Sequence, residues 1–148
     1  MLLSANDVLQ ILPHRFPFLF IDGVLEVDKG KSIVAVRNIT MSDPILQGHF
    51  PGFPIVPGVV QVETMAQAAV ILAHQSDAFD PATHDCLFLG ISEAKFRAPV
   101  VPGERLLVHV EAKRLGRVGR FAGRCEVDGE LKSSAEFTAV IQPKAKAG

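Results

Sequence analysis

The stretch Val59–Ala73 constrains the fold more than any other part of the chain. Val59, Val60, Val62, Met65, Ala66, Ala68, Ala69, Val70, Ile71, Leu72 and Ala73 make it apolar on almost every face; Gln61, Glu63, Thr64 and Gln67 are its polar residues. At helical period such a segment must be buried all round. Pro57, just before it, suits a first helical turn, where a missing N–H costs nothing. The uncharged run Pro44–Val62 has the length of a membrane span, but its four prolines and three glycines exclude a spanning helix. The chain therefore has one buried helix and must supply a wrapper for it.

The wrapper reads as β-structure. Ser4 and Asp7 form a weak capping box for a short helix carrying Val8, Leu9, Ile11 and Leu12, which Pro13 ends. A strand is expected through Leu19, Ile21 and Leu25, with Asp28-Lys29-Gly30-Lys31 as the turn into a second at Ser32–Thr40. Beyond the helix come Cys86–Phe96, Leu106–Leu115, Phe121–Val127 and Leu131–Ile141, with Asp128-Gly129 as a tight hairpin turn. Hairpins make the sheet antiparallel. The economical α+β packing is a curved antiparallel sheet around one long central helix, with open edges that pairing in a dimer would cover. The spacing predicts a single domain over 1–142 and a flexible tail over 143–148.

A net charge of −1 argues against a nucleic-acid binder. Charge is nevertheless concentrated: residues 95–124 hold Lys95, Arg97, Arg105, Lys113, Arg114, Arg117, Arg120 and Arg124 against Glu104 and Glu111. Cys86 and Cys125 are too few for a disulfide framework and read as free thiols in a reducing compartment. With no basic start before the first apolar residues, no signal peptide is expected, and the chain is expected to be cytoplasmic.

The chemistry is concentrated in Gly48–Ala68. His49 lies in a loop stiffened by Pro51, Pro54 and Pro57, which suits a side chain that must be held in place. Gly58 follows in a first helical turn, whose free N–H groups can receive a carbonyl oxygen gaining negative charge. Glu63 comes next on the apolar helix, with Gln67 four residues on along the same face. Burial disfavours the charged form of a carboxyl group, which suits it to giving up a proton, and a neutral histidine is a natural base. Base, acid and oxyanion donor together suit proton removal beside a carbonyl with loss of a β-leaving group. His49 is also open to a purely structural role, and Glu63 to that of an interface carboxylate. No metal-ligand spacing and no nucleophile elbow or dinucleotide fingerprint occurs.

Three blocks carry a resemblance: Leu12-Pro13-His14-Arg15-Phe16-Pro17-Phe18-Leu19; Gly48-His49-Phe50-Pro51 with Pro57-Gly58-Val59, Glu63 and Ala66-Gln67-Ala68; and Ala94-Lys95-Phe96-Arg97-Ala98-Pro99-Val100 with Pro102-Gly103. In this order they resemble the (3R)-hydroxyacyl-[acyl carrier protein] dehydratases of bacterial type II fatty acid synthesis, in the Glu-type branch. The resemblance implies the hot-dog fold, homodimers assembling as trimers of dimers, and active sites shared between subunits. It implies His49 as the base at C2 and Glu63 as the acid that helps the 3-hydroxyl leave. It further implies substrate-binding roles for Gly58, Gln67, Phe50 and Val59, and neither metal nor organic cofactor.

With that resemblance, the basic segment 95–124 becomes a candidate docking surface for acidic acyl carrier protein, and Phe18, Phe20, Phe53, Phe88 and Phe96 become candidates for an acyl tunnel. The tyrosine usual near Cys86 and Leu87 is absent, as the chain has no tyrosine at all. Two rival functions stay open: a hot-dog acyl thioesterase and a non-catalytic acyl-carrier-binding partner.

Overall fold

A computed structural model describes residues 1–145. Helix α1 (Ala5–Ile11) begins at the expected capping box: Ser4 accepts from the Asp7 N–H, and the Asp7 carboxylate accepts from the Ser4 N–H and hydroxyl. Strands β1 (Gly23–Asp28) and β2 (Ser32–Asn38) form a hairpin. Helix α2 (Gly58–Gln75) follows, then β3 (His84–Phe96), β4 (Arg105–Arg114), β5 (Val118–Val127) and β6 (Glu130–Pro143). The six strands make one antiparallel sheet in the order β1-β2-β4-β5-β6-β3. It curls around α2, which touches β2 through β6, in the hot-dog arrangement that the resemblance implies.

The burial of α2 follows its composition. Thr64, Met65, Gln67, Ala68, Ile71 and Leu72 are sealed in the core. Thr64 satisfies its hydroxyl by donating to Val60 O one turn back, at 2.7 Å. Met65 passes so close beneath β5 that a Cβ on Gly123 would stand 2.9 Å from its sulfur. Glycine is thus needed there for approach. At the β5–β6 turn it is needed for conformation: Asp128 and Gly129 both have positive φ, 49° and 81°, as a two-residue hairpin demands.

Three expectations change. The first strand starts at Gly23, so Leu19 and Ile21 lie outside it. The reason is that Phe18 O and Phe20 N hydrogen-bond the side chain of Gln67, which takes from the sheet the backbone groups a ladder would need. The second strand ends at Asn38, because Ile39 turns aside to exchange hydrogen bonds with Glu104 O and Gly103 N. Pro143 and Lys144, expected in a flexible tail, are tied to the sheet: Pro143 pairs with His84, and the Lys144 N–H donates to Thr83 O. Residues 146–148 lie outside the described residues.

Strand β3 sits at one edge of the sheet with its outer side unpaired. From Leu87 to Phe96 it is exposed on both faces, although Leu87, Phe88, Leu89, Ile91 and Phe96 are large and apolar. No helix among the described residues is long and apolar enough to cross a membrane.

Candidate active site

The carboxylate half is built around Glu63, on the one face of α2 that is not sealed. Gln67, one turn further on, is fully buried and anchored at both ends of its amide. Its Oε1 accepts from Phe20 N at 2.9 Å, and its Nε2 donates to Phe18 O at 2.9 Å. Nε2 also donates its second hydrogen to Glu63 Oε1, with an N···O distance of 3.2 Å. An amide whose orientation is fixed by two backbone groups cannot flip, so it presents Glu63 with a donor only. His14 Nε2 lies 3.5 Å from the same oxygen. Both neighbours thus approach Oε1 of the carboxyl group.

Glu63 looks into a narrow cavity walled by Ala66, Ala69 and Val70 of α2, by Cys86, Leu87 and Phe88 of β3, and by Phe121, Phe137 and Ala139. Phe137 stacks on Phe121 at 5.5 Å and meets Phe88 edge-on at 5.8 Å. Of the tunnel candidates, Phe88 alone lines this cavity. Phe20 is core, Phe18 contributes its carbonyl to Gln67, Phe53 is exposed, and Phe96 lies at the other half of the site. Phe121 and Phe137 were not legible as walls, because alternation marks a strand's inward face without marking which inward residues border a void. Burial pushes the Cys86 thiol up to about 11, so it is protonated at neutral pH.

The imidazole half lies elsewhere on the chain. The loop carrying His49 is laced by backbone bonds: Phe50 and Phe53 exchange N–H···O pairs at 2.8 Å, Ile55 N donates to His49 O, and Val56 N donates to Val100 O. A short 3₁₀ turn, Pro44–Leu46, leads into the loop, capped by Asp43, which is ion-paired with the buried Arg37. Burial lowers the Arg37 guanidinium from its ordinary value, and Asp43 and Asp22 oppose that shift. His49 Nδ1 lies 2.8 Å from Ile55 O. A carbonyl only accepts, so Nδ1 carries the proton and Nε2 is left with a lone pair. The ring stacks on Phe50 at 4.2 Å.

The hollow beside His49 is lined by Pro57, Gly58, Val59, Gln61, Phe96 and Pro99, among others. Pro57, the N-cap of α2, gives no side-chain bond to the first turn, and its carbonyl accepts from Val60 and Gln61. The N–H groups of Gly58 and Val59 head the helix dipole. A Cβ on Gly58 would stand 2.7 Å from the Phe96 ring, so glycine lets β3 close over the helix start. Val59 is 76% exposed, which departs from a helix buried on every face.

The residues singled out in sequence thus fall into two groups. Glu63 and Gln67 border one cavity; His49, Gly58 and Val59 border another hollow, and Phe50 buttresses the histidine. The cavity that Glu63 lines does not include His49, and the hollow that His49 lines does not include Glu63. His14 joins Glu63 from 49 positions away in sequence, a contact that no spacing rule announces. The basic segment is also divided. Lys95, Arg97 and Arg105 lie toward the His49 end of the sheet, and Lys113, Arg114, Arg117 and Arg120 toward the far end, around the β4–β5 turn. Among the described residues no three His, Cys, Asp or Glu side chains gather as a metal site would need.

Comparison with known proteins bears on the family and the fold. The FabA-like domain family matches residues 12–136. The 3-hydroxyacyl-[acyl-carrier-protein] dehydratase FabZ of Aromatoleum aromaticum is 44% identical over 142 residues, covering 95% of this chain and 98% of that protein. Among solved structures, the dehydratase heterocomplex ApeI:P from Xenorhabdus doucetiae superimposes with a TM-score of 0.77 at 19% identity, covering 94% of this chain and 91% of that one. A thioesterase of Pseudomonas aeruginosa superimposes with a TM-score of 0.62 at 18% identity, covering 82% and 81%. The fold is therefore shared by a dehydratase complex and a thioesterase and does not by itself decide between them; the sequence relatives do: the chain belongs to the FabA-like domain family and, within it, to the 3-hydroxyacyl-[acyl-carrier-protein] dehydratases.

Proposed function

We propose that the chain removes water from (3R)-3-hydroxyacyl thioesters carried on acyl carrier protein, giving trans-2-enoyl thioesters, with His49 as base and Glu63 as acid. The observation that carries this reading is the hydrogen bond from His49 Nδ1 to Ile55 O, which leaves Nε2 as a fixed proton acceptor. Nε2 takes the proton from C2. The Gly58 N–H, at the head of α2, stabilises the charge that develops on the thioester oxygen. Glu63, steadied by Gln67, gives its proton to the 3-hydroxyl as the C3–O bond breaks, and water leaves. Phe50 and Val59 flank the substrate at the histidine. No cofactor enters the proposal: one proton passes from C2 to His49 and one from Glu63 to the departing hydroxyl.

The two halves border different cavities of one chain, so the complete site is proposed to form between two copies, with His49 of one protomer facing Glu63 of the other. The unpaired, apolar β3 supports this, since it borders the Glu63 cavity at Cys86–Phe88 and the His49 hollow at Phe96. A sheet edge of this kind is where a second copy adds. Three such dimers forming a hexamer is part of the same proposal. Acyl carrier protein would be met by Lys95 and Arg97, the part of the basic segment nearest the histidine. Two free cysteines support placement in a reducing cytoplasm.

The test follows enoyl product and free thiol together on a 3-hydroxyacyl carrier substrate. His49→Ala and Glu63→Gln are each expected to lower enoyl formation by about 10²- to 10⁴-fold. Mixing the two inactive variants under conditions that exchange subunits is expected to restore activity, because one site of each mixed dimer then has both groups. Thiol release without enoyl product would make the chain a thioesterase. Silence in both channels would make it a binding partner.

A further inference from the structure

We infer that His14 is a positioning residue for Glu63, donating from Nε2 to Oε1 so that the acidic proton is held on Oε2, the oxygen facing the substrate. This inference rests on Glu63 being the acid. Three observations carry it. His14 Nε2 is 3.5 Å from Glu63 Oε1, the oxygen that Gln67 Nε2 also approaches, at 3.2 Å. His14 lines the same cavity as Glu63. Its other nitrogen, Nδ1, is buried with no hydrogen-bond partner among the described residues.

The tautomer follows from the third observation. Orphaned buried N–H groups are rarer than under-used acceptors, so the ring proton belongs on Nε2, where an acceptor stands. Oε1 then faces two donors, and a carboxyl group hydrogen-bonded that way keeps its own proton on the opposite oxygen. The contact is long for a hydrogen bond in the free chain; such contacts shorten when substrate fills a site.

The surroundings are arranged to hold the ring. Arg15 donates to Leu9 O, Leu12 O and His14 O, at 2.9, 2.8 and 2.6 Å, which pins the backbone on both sides of His14. The imidazole stacks on Phe18 at 6.3 Å, and Phe18 packs on Phe20 at 4.8 Å. The segment that gives Gln67 its two backbone anchors therefore also delivers the imidazole. Pro13–Phe20 works as a bracket for the carboxyl group. Among the groups lining the cavity only His14, Glu63 and Cys86 titrate, and the Arg15 guanidinium is turned to the carbonyls of Leu9, Leu12 and His14.

Two substitutions separate the hydrogen bond from the packing. His14→Phe keeps a ring on Phe18 and loses the donor; His14→Gln loses the ring and keeps an N–H at the position of Nε2. In the full-length enzyme, His14→Phe is expected to lower kcat about 10- to 100-fold, as loss of a bond to an ionisable group does, with KM within about twofold. The limb of its kcat–pH profile that reports the acid should move. His14→Gln should recover most of kcat and restore that limb. Unchanged kcat in His14→Phe, or equal losses in both variants, would overturn the inference. Glu63→Gln assayed alongside distinguishes the failures: if it stays active, the acid itself is misassigned; if it is inactive while His14→Phe is not, only the role of His14 falls.

Discussion

Helix α2 and strand β3 are both written in apolar residues, yet the chain treats them in opposite ways. From Val60 to Ala73, α2 is buried on nearly every side; β3 is exposed on both faces from Leu87 to Phe96 and unpaired along its outer side. Composition cannot account for the difference, which comes from position. The sheet curls around α2 and satisfies it within one chain, whereas β3 is where the sheet stops. An apolar element that its own chain leaves uncovered points to another surface. The difference extends to the site, since Glu63 sits on the satisfied element while Cys86–Phe88, part of the wall of its cavity, belong to the unsatisfied one.

The largest expected effect tests how α2 is satisfied. Gln67→Leu removes the partner of Phe20 N and Phe18 O in a sealed environment. Leaving these groups unpaired should cost about 3 kcal/mol of stability, read as a lower denaturation midpoint at unchanged slope. Dehydration should also fall in whatever fraction stays folded, because Glu63 loses its amide donor. If Gln67→Leu is as stable as wild type, the bracket has no structural role.

Gln67 also shows what could be read in advance. The helix, its neighbours and the hairpin turns were legible, because a 15-residue apolar run and Asp128-Gly129 are strong local signals. That Glu63 and Gln67 share a face was legible too, from helical spacing. The ends of β1 and β2 were not, since they depend on hydrogen bonds across the fold: Gln67 draws Phe18 and Phe20 away from the ladder, and Glu104 and Gly103 turn Ile39. His14 was invisible as a neighbour of Glu63 for the same reason. The basic segment read as one patch because it is continuous in sequence; a hairpin places its two halves at opposite ends of the sheet.

A smaller effect sharpens the account of what surrounds α2. Cys125 faces the helix from β5, with its sulfur 4.0 Å from Gln61 O, and burial pushes its thiol up to about 12. The unfolded chain releases this proton near the ordinary thiol value while the folded chain retains it. The folded state then binds more protons, so stability should fall as pH rises from about 9 toward about 12, by about 1.4 kcal/mol per unit at most. Cys125→Ala should flatten this alkaline decline in denaturant titrations, while its cavity lowers stability at neutral pH by a constant amount. An unchanged alkaline slope would mean that Cys125 is not responsible.

The smallest effect on the chain's own stability is expected on β3, and it is the most informative. Ile91 is 52% exposed and lines neither half of the site. Ile91→Lys places at the open edge the residue with which natural edges are blunted. Because the folded chain buries little of this side chain, its stability should change by less than about 0.5 kcal/mol. Association should nevertheless fail: light scattering should report a smaller particle, and dehydration should disappear with it, although His49, Glu63 and Gln67 are untouched. Activity retained by a monomer would place a complete site within one chain and remove the need for a partner. Activity lost with the assembly, in a chain as stable as wild type, would mean that the apolar character of β3 serves the site between copies rather than the core of one.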